Sequence, residues 1–409
     1  MNVPSIDRYD VAIVGGGMVG SALGLALAGS RQRVLLVEAV AADSAQQPSF
    51  DDRTTALGNG ARRILQTLGV WDDIEPRATP ITEIHVSDAG HFGFARLRAS
   101  EHQLAAFGYS VSNRQIGAAM WRALHHSQGI DVRSPARLRQ VSLNASEATL
   151  KVQSGNAKEI TVQARLVVAA DGAHSLVKQA AGIASDSDSY DQVAVVANVR
   201  TDRPARGIAY ERFTGSGPLA MLPLHDGAYT VVWTLASQMA EAMRQCPSEE
   251  FCRELQNGFG WRVGRFLQVG QRASYPLALV KAQASAATRV ALIGNAAQAL
   301  HPVAAQGFNL GLRDAAVLAE LIVSAGDPGA PEVLAQYASR RSADRAGMIA
   351  FTDRLVRLFS TQRGGLVALR DLGLLLFDIN PVAKQALSRI SWGFGGSLPR
   401  LSRGLPLRP

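Results

Sequence analysis

The sequence predicts an α/β protein: a Rossmann-like domain, a mixed β-sheet inserted into it, and a helical C-terminal region. Three observations predict it. A strand at the N-terminus runs into Gly15-Gly16-Gly17-Met18-Val19-Gly20 and then into a helix of small residues. Two later strands also end at an acid or a glycine, near Asp171 and Gly294. Strand-like segments dominate between about 185 and 280, where a second sheet would be built.

The first unit carries the most information. Asp10-Val11-Ala12-Ile13-Val14 reads as a buried strand, and Ser21 to Ala28 as a closely packed helix. Arg33 to Val37 reads as a second strand, ending at Glu38. Strand, G-x-G-x-x-G, helix, strand and acid within about thirty residues form a dinucleotide-binding unit. Gly15 makes the turn, Gly17 admits a pyrophosphate, and Gly20 lets helix and strand touch. Free N–H groups at the helix start, beside Met18, attract the phosphates. Glu38 would accept from adenosine ribose hydroxyls and repel a 2′-phosphate, so the site suits FAD or NAD and not NADP.

Downstream features choose FAD. Leu166 to Ala170 runs into Asp171 and Gly172, and Arg289 to Ile293 runs into Gly294 and Asn295. Gly307-Phe308-Asn309-Leu310-Gly311 then opens a helix to about Ser324. Its N-terminus would stabilise the negative charge of a reduced flavin, which nicotinamide would not need. Thr214 to Pro218 is glycine-rich but leads into no helix, so no second nucleotide domain is expected.

Other segments fill in the frame. Ile81–Ser87 and Gly93–Leu97 flank Asp88-Ala89-Gly90 as an inserted hairpin. Residues 138–170 read as a β-meander leading to Asp171. After about 345 the pattern is helical, broken at Asn380-Pro381. The expected division is a discontinuous nucleotide domain (1–80, 105–184 and 281–345), a substrate sheet (81–104 and 185–280), and C-terminal helices with a basic tail (346–409).

Bulk properties exclude several classes. The 409 residues show no fixed-period repeat. Two cysteines cannot build a disulfide framework, and no His/Cys cluster marks a metal site. The N-terminus lacks an apolar signal core. The uncharged run Val11–Ser30 holds six glycines among twenty residues, which fits strand, turn and helix rather than a membrane span. Cytoplasmic placement is expected. The net charge of +8 lies wholly from Arg340 onward, where 12 basic residues face 4 acidic ones; the rest carries 30 of each sign. No nucleic-acid motif accompanies it. An anionic membrane face and a plain solvated helical tail both remain open for it, and the run Leu372–Phe377 adds apolar surface for the former.

The motifs VAIVGGGMVG, FDDRTTALG, SNRQIGAAM, VVAADGAHS, GPLAMLPL and GNAAQALHPVAAQGFNLGLRD together resemble the flavoprotein aromatic monooxygenases of the para-hydroxybenzoate hydroxylase fold. Among these the chain is most similar to the ubiquinone-biosynthesis hydroxylases. Asn295 stands where the family usually has Asp. With Gln298, Leu300 and His301 it points to the polyprenyl-methoxyphenol hydroxylase branch. The resemblance implies that Gly15, Gly17 and Gly20 hold the FAD pyrophosphate and that Glu38 takes the ribose. It puts Arg53 near the flavin, Arg114 at the pyrophosphate, and Asp171 and Gly172 at the cofactor. Asn295 would meet the ribityl chain, and Gly307, Phe308 and Asn309 would edge the isoalloxazine.

The implied reaction uses NADH or NADPH as a transient donor and molecular oxygen, through a C4a-hydroperoxyflavin, to hydroxylate a polyprenyl phenol. Partners implied are an anionic inner-membrane face and other ubiquinone-pathway proteins. No active-site base is legible; His301 is a weak candidate, since a His before Pro in a turn is more often structural. Two alternatives stay open: a flavin oxidoreductase that inserts no oxygen, and a flavin-binding assembly subunit.

Overall fold

The computed structural model describes residues 6–41, 44, 47, 51, 53–91, 93–155, 159–300, 306–360 and 398–407. Its first sheet is built on the strand Asp7–Val14, whose Val11 to Val14 are all buried. A strand covered on both faces reads as a continuous apolar run, not an alternating one. It lies between Val34–Val37 and Ile160–Ala169, parallel to both. Ile130–Arg133 and Val290–Leu292 extend the parallel sheet on either side. Arg137–Leu143 and Ala148–Gln153 form the expected meander against Ile160–Ala169.

Register is what positions the site. Val14 is level with Val37 on one side and Ala169 on the other, and Ala169 is level with Leu292. Four parallel strands therefore end side by side, and their next residues emerge into one crevice. Helices Met18–Leu27, Asn113–His126 and Gln306–Ser324 pack on one face of this sheet. The meander and the short helix Leu176–Ala180 cover the other.

The second sheet has eight strands. Its order is Gln298–Ala299, Phe266–Ala282, Ser185–Thr201, Tyr229–Ala236, Gly217–Pro223, Ile208–Thr214, Glu83–Asp88 and Phe94–Arg98. The hairpin of residues 83–98 joins it by parallel pairing with Ile208–Thr214. Thr214–Pro218 is a hairpin turn between two of its strands. Strand patterning missed two helices in this region, Ser237–Gln245 and Ser248–Phe259. Phe251, Leu255 and Phe259 recur every four residues, and that helical stripe buries against Trp233 and Leu219.

A third, three-stranded sheet (Thr54–Gly58, Gly108–Ser112 and Thr79–Ile81) was not expected. It is tied to the second sheet: the hydroxyls of Thr54 and Thr230 lie 2.7 Å apart, and Ser110 donates to the Pro223 carbonyl. The long helix Pro331–Ser360 closes the nucleotide side; its Tyr337 hydroxyl donates to the Leu292 carbonyl at 2.7 Å. Among the described residues no helix is long and apolar enough to cross a membrane.

Candidate active site

The glycine turn is set by backbone contacts. Gly15 has φ +102°, and a Cβ there would meet the Ala170 carbonyl oxygen at 2.4 Å. A Cβ on Gly20 would lie 1.9 Å from the Gly15 carbonyl oxygen. No other residue type fits either place without the turn opening. Gly17 caps the helix Met18–Leu27, so no side chain shields that helix's free N–H groups. The Gly16 peptide is held from both ends. Its N–H donates to Glu38 Oε2 at 2.6 Å, and its carbonyl accepts from Trp121 Nε1 and Ser21 Oγ at 2.9 and 2.8 Å. Glu38 Oε1 accepts from the Val40 N–H at 2.9 Å.

These residues open into a cavity of about 1000 Å³ running from the Rossmann turn to the inner face of the second sheet. Gly15, Gly17, Met18 and Glu38 line one end. Asp171, Gly172, Asn295, Gly307 and Phe308 line it further along. Asp171 Oδ2 accepts from the Leu176 N–H at 3.0 Å, while its Oδ1 is buried with no hydrogen-bond partner among the described residues. Burial holds this carboxyl above its usual range, against the hydrogen bonds that it accepts. Asn295 is exposed to the cavity beside Gly294, a left-handed turn residue whose N–H donates to Asp314 Oδ2 at 3.1 Å.

Arg53 lies over the Tyr275 ring, 4.4 Å from its centroid, and pairs with Asp51. Asp51 also accepts from Asn113 Nδ2 at 3.2 Å and from the Tyr275 hydroxyl at 3.3 Å. Arg53 and Tyr275 both line the cavity. Two sequence-derived residues turn elsewhere. Arg114 is exposed at the start of its helix, and its neighbour Asn113 lines the cavity instead. Asn309 turns to the third sheet: its Oδ1 accepts from the Gly58 N–H and its Nδ2 donates to the Ala56 carbonyl, both at 2.9 Å. His301 lies outside the described residues.

Sequence reasoning missed the brace behind the site. Asp314, fully buried, accepts from Gln298 Nε2 at 2.8 Å and from Arg341 Nε at 2.7 Å. Arg345 donates to the Ala297 carbonyl at 3.0 Å. Arg341 and Arg345 belong to the basic stretch that starts at Arg340, yet both are buried and hold the Gly294–Ala299 turn in place. Arg340 pairs with Glu320. The charge segregation therefore overstates the cationic surface that region offers. Residues 361–397, including the run Leu372–Phe377, lie outside the described residues. Among the described histidines, His85 is buried beneath Arg262 on the far face of the second sheet. Burial, and then the Arg262 and Arg96 charges, push it down to about 4, so it is neutral at physiological pH.

The FAD binding domain family matches residues 8–352, most of the chain. The protein belongs to this family. Ubiquinone hydroxylase UbiL of Rhodospirillum rubrum is 38% identical over 405 residues, covering 97% of this chain and 93% of that one. The 3-demethoxyubiquinol 3-hydroxylase of Escherichia coli is 31% identical, covering 94% and 98%. Among solved structures, p-nitrophenol 4-monooxygenase PnpA of Pseudomonas putida superposes with a TM-score of 0.80 at 20% identity, over 96% of this chain and 99% of that one. The fold is thus that of the para-hydroxybenzoate-hydroxylase-like flavoproteins, and the protein is an FAD-dependent hydroxylase of the ubiquinone-biosynthesis group. The residues present fit the cofactor. Cβ-intolerant glycines leave a backbone cradle at the turn, an uncovered helix start faces it, and the unpartnered Asp171 Oδ1 stands further along the same cavity.

Proposed function

We propose that the protein hydroxylates the ring of a polyprenyl phenol on the way to ubiquinone, using FAD, NADH or NADPH, and molecular oxygen. The observation that carries this reading is the single cavity joining the glycine turn to an apolar sheet face. When bound, FAD supplies hydride acceptance from the nicotinamide and activation of dioxygen; the rest falls to the chain. Gly15, Gly17 and Met18 receive the pyrophosphate on backbone N–H groups. Glu38 stands ready for the ribose with its oxygens already oriented by Gly16 and Val40. Asn295 offers an amide to the ribityl chain without adding a charge. Gly307 and Phe308 bound the ring end, and the Arg53–Tyr275 stack walls the cavity near them.

The sheet face opposite is lined by small and branched apolar side chains, among them Ala194, Val196, Ala220, Leu222 and Val232. It excludes water from the reacting ring and favours an alkylated aromatic over a polar one. The donor nicotinamide has no domain of its own and binds transiently beside Asp171 and Gly172. Contact with an anionic membrane, and with other enzymes of the pathway, belongs to the same reading because the substrate is lipid-borne.

The test is turnover of the purified, FAD-loaded protein with a short-chain prenylphenol and NADH or NADPH under ¹⁸O₂. One labelled oxygen atom in the product is expected. Anaerobic turnover, or a product without label, would favour an oxidoreductase that inserts no oxygen. Protein that stays colourless with added FAD would favour an assembly subunit. Flotation with anionic vesicles checks the membrane contact, and protein that stays unbound removes it from this reading.

A further inference from the structure

The sheet that roofs the cavity lines it mainly with apolar side chains. Strand alternation puts Ala209 and Glu211 of Ile208–Thr214 on its inner face, beside Ala220 across the antiparallel ladder. Ala194, Val196, Leu222 and Val232 complete the surround. Glu211 Oε1 is sealed from solvent and has no hydrogen-bond partner among the described residues. An unpaired carboxylate in such a place is costly unless something arrives to pair with it.

The other titratable groups that this sheet brings to the cavity are already engaged. The Tyr210 ring packs against His85, Tyr229 and Phe259 on the reverse face. The Tyr275 hydroxyl donates to Asp51 under the Arg53 guanidinium. Groups at the cofactor end (Glu38, Asp171) belong to other elements.

We propose that Glu211 is the catalytic base of the hydroxylation, receiving the ring hydroxyl of the bound phenol as its hydrogen-bond donor. The inference rests on the function proposed above. A phenol needs an acceptor because its ring is a better nucleophile as the phenolate. In the step, the phenol O–H bond breaks as the ring carbon gains its oxygen atom, and the proton passes to the Glu211 carboxylate. The ring carbon then loses its own hydrogen as a proton, which leaves as water with the hydroxide equivalent from dioxygen. The ring oxygen takes its proton back from Glu211, and the carboxylate is restored. One negative charge moves between two partners, so the apolar site never holds two.

Basicity agrees with this geometry. Burial pushes the Glu211 carboxyl up to about 8. An ordinary carboxylate is about six units weaker as a base than a phenolate of pKa about 10; one near 8 closes most of that gap. The base must be ionised, so oxygen transfer should fall about tenfold per pH unit below about 8 and level off above it.

The experiment uses the full-length, FAD-loaded protein and the probe 4-fluoro-2-prenylphenol, followed by ¹⁹F NMR in the oxidised state without oxygen or nicotinamide. In the wild type the bound probe's resonance should titrate once near pH 8, as its hydroxyl gains a charged acceptor. In Glu211→Gln the probe should bind within about threefold of wild type with no such titration, and turnover should fall 10²–10⁴-fold. Glu211→Asp should keep a titration and recover part of the rate. It also carries the test should Glu211→Gln lose FAD. A titration that persists in Glu211→Gln, or unchanged turnover, overturns the inference. FAD-loaded wild type that neither binds nor hydroxylates the probe instead defeats the functional reading beneath it, and the inference falls with it.

Discussion

The two walls of the cavity are made differently. On the cofactor side the chain offers mainly backbone: glycines whose missing Cβ atoms leave 1.9–2.4 Å clearances filled by carbonyl oxygens, and an uncovered helix start. On the substrate side it offers side chains from a sheet assembled mainly from two distant segments, 83–98 and 185–282. A backbone cradle is over-determined, because many residues fix each atom. A sheet face can change one side chain at a time while its ladder stays intact. The contrast accounts for a generic nucleotide site facing a particular aromatic one.

The sharpest way to break the comparison is Gly20→Val. Its Cβ would sit inside the Gly15 carbonyl, so the turn must open; FAD affinity should fall at least about 100-fold. Absorbance of retained flavin after gel filtration measures it. Next is Arg341→Ala, which strands the buried Asp314 carboxylate behind the Gly294 turn. Breaking a buried pair should cost about 3–5 kcal/mol, read by urea unfolding of the FAD-loaded protein. A loss far below this would mean that the brace is incidental.

Glu211 should behave in the opposite sense. Its carboxyl ionises near 8 when folded and near the ordinary 4.5 when unfolded. The unfolded chain therefore releases its proton first, and stability drains away as pH rises from about 4.5 to 8, with no further loss above. Glu211→Gln removes that drain. It should be more stable than wild type at pH 9, by a few kcal/mol, and close to it at pH 4. Thermal melts at both pH values check the sign, and a destabilised variant at pH 9 would contradict it. The smallest effect is expected from Tyr275→Phe, which loses one hydrogen bond to Asp51 but keeps the ring under Arg53. About 1 kcal/mol of stability and a severalfold change in turnover should follow.

Legibility in the sequence followed the same divide. Strand, glycine turn, helix and Glu38 are local, and their spacing alone specifies their geometry. The strand ends at Ala169 and Leu292 could be read individually. Nothing local shows Glu211 as special, for it is one acid in an alternating strand. Asn309 looked like a ring-edge residue by motif, but its amide is occupied by the strand Thr54–Gly58, some 250 positions away in the chain. Arg341 and Arg345 looked like surface charge because composition cannot see burial.

By itself, then, the sequence determined the nucleotide turn, the alternation of sheet and helix, and a dinucleotide as the ligand, all of which depend on neighbours within about thirty residues. Only the tertiary structure decided which strand ends stand level, which arginines are buried beneath the site, and that the Glu211 carboxyl stands among the apolar side chains of the roof. Those depend on register and packing between segments hundreds of residues apart, where a one-residue slip would turn Glu211 to the opposite face.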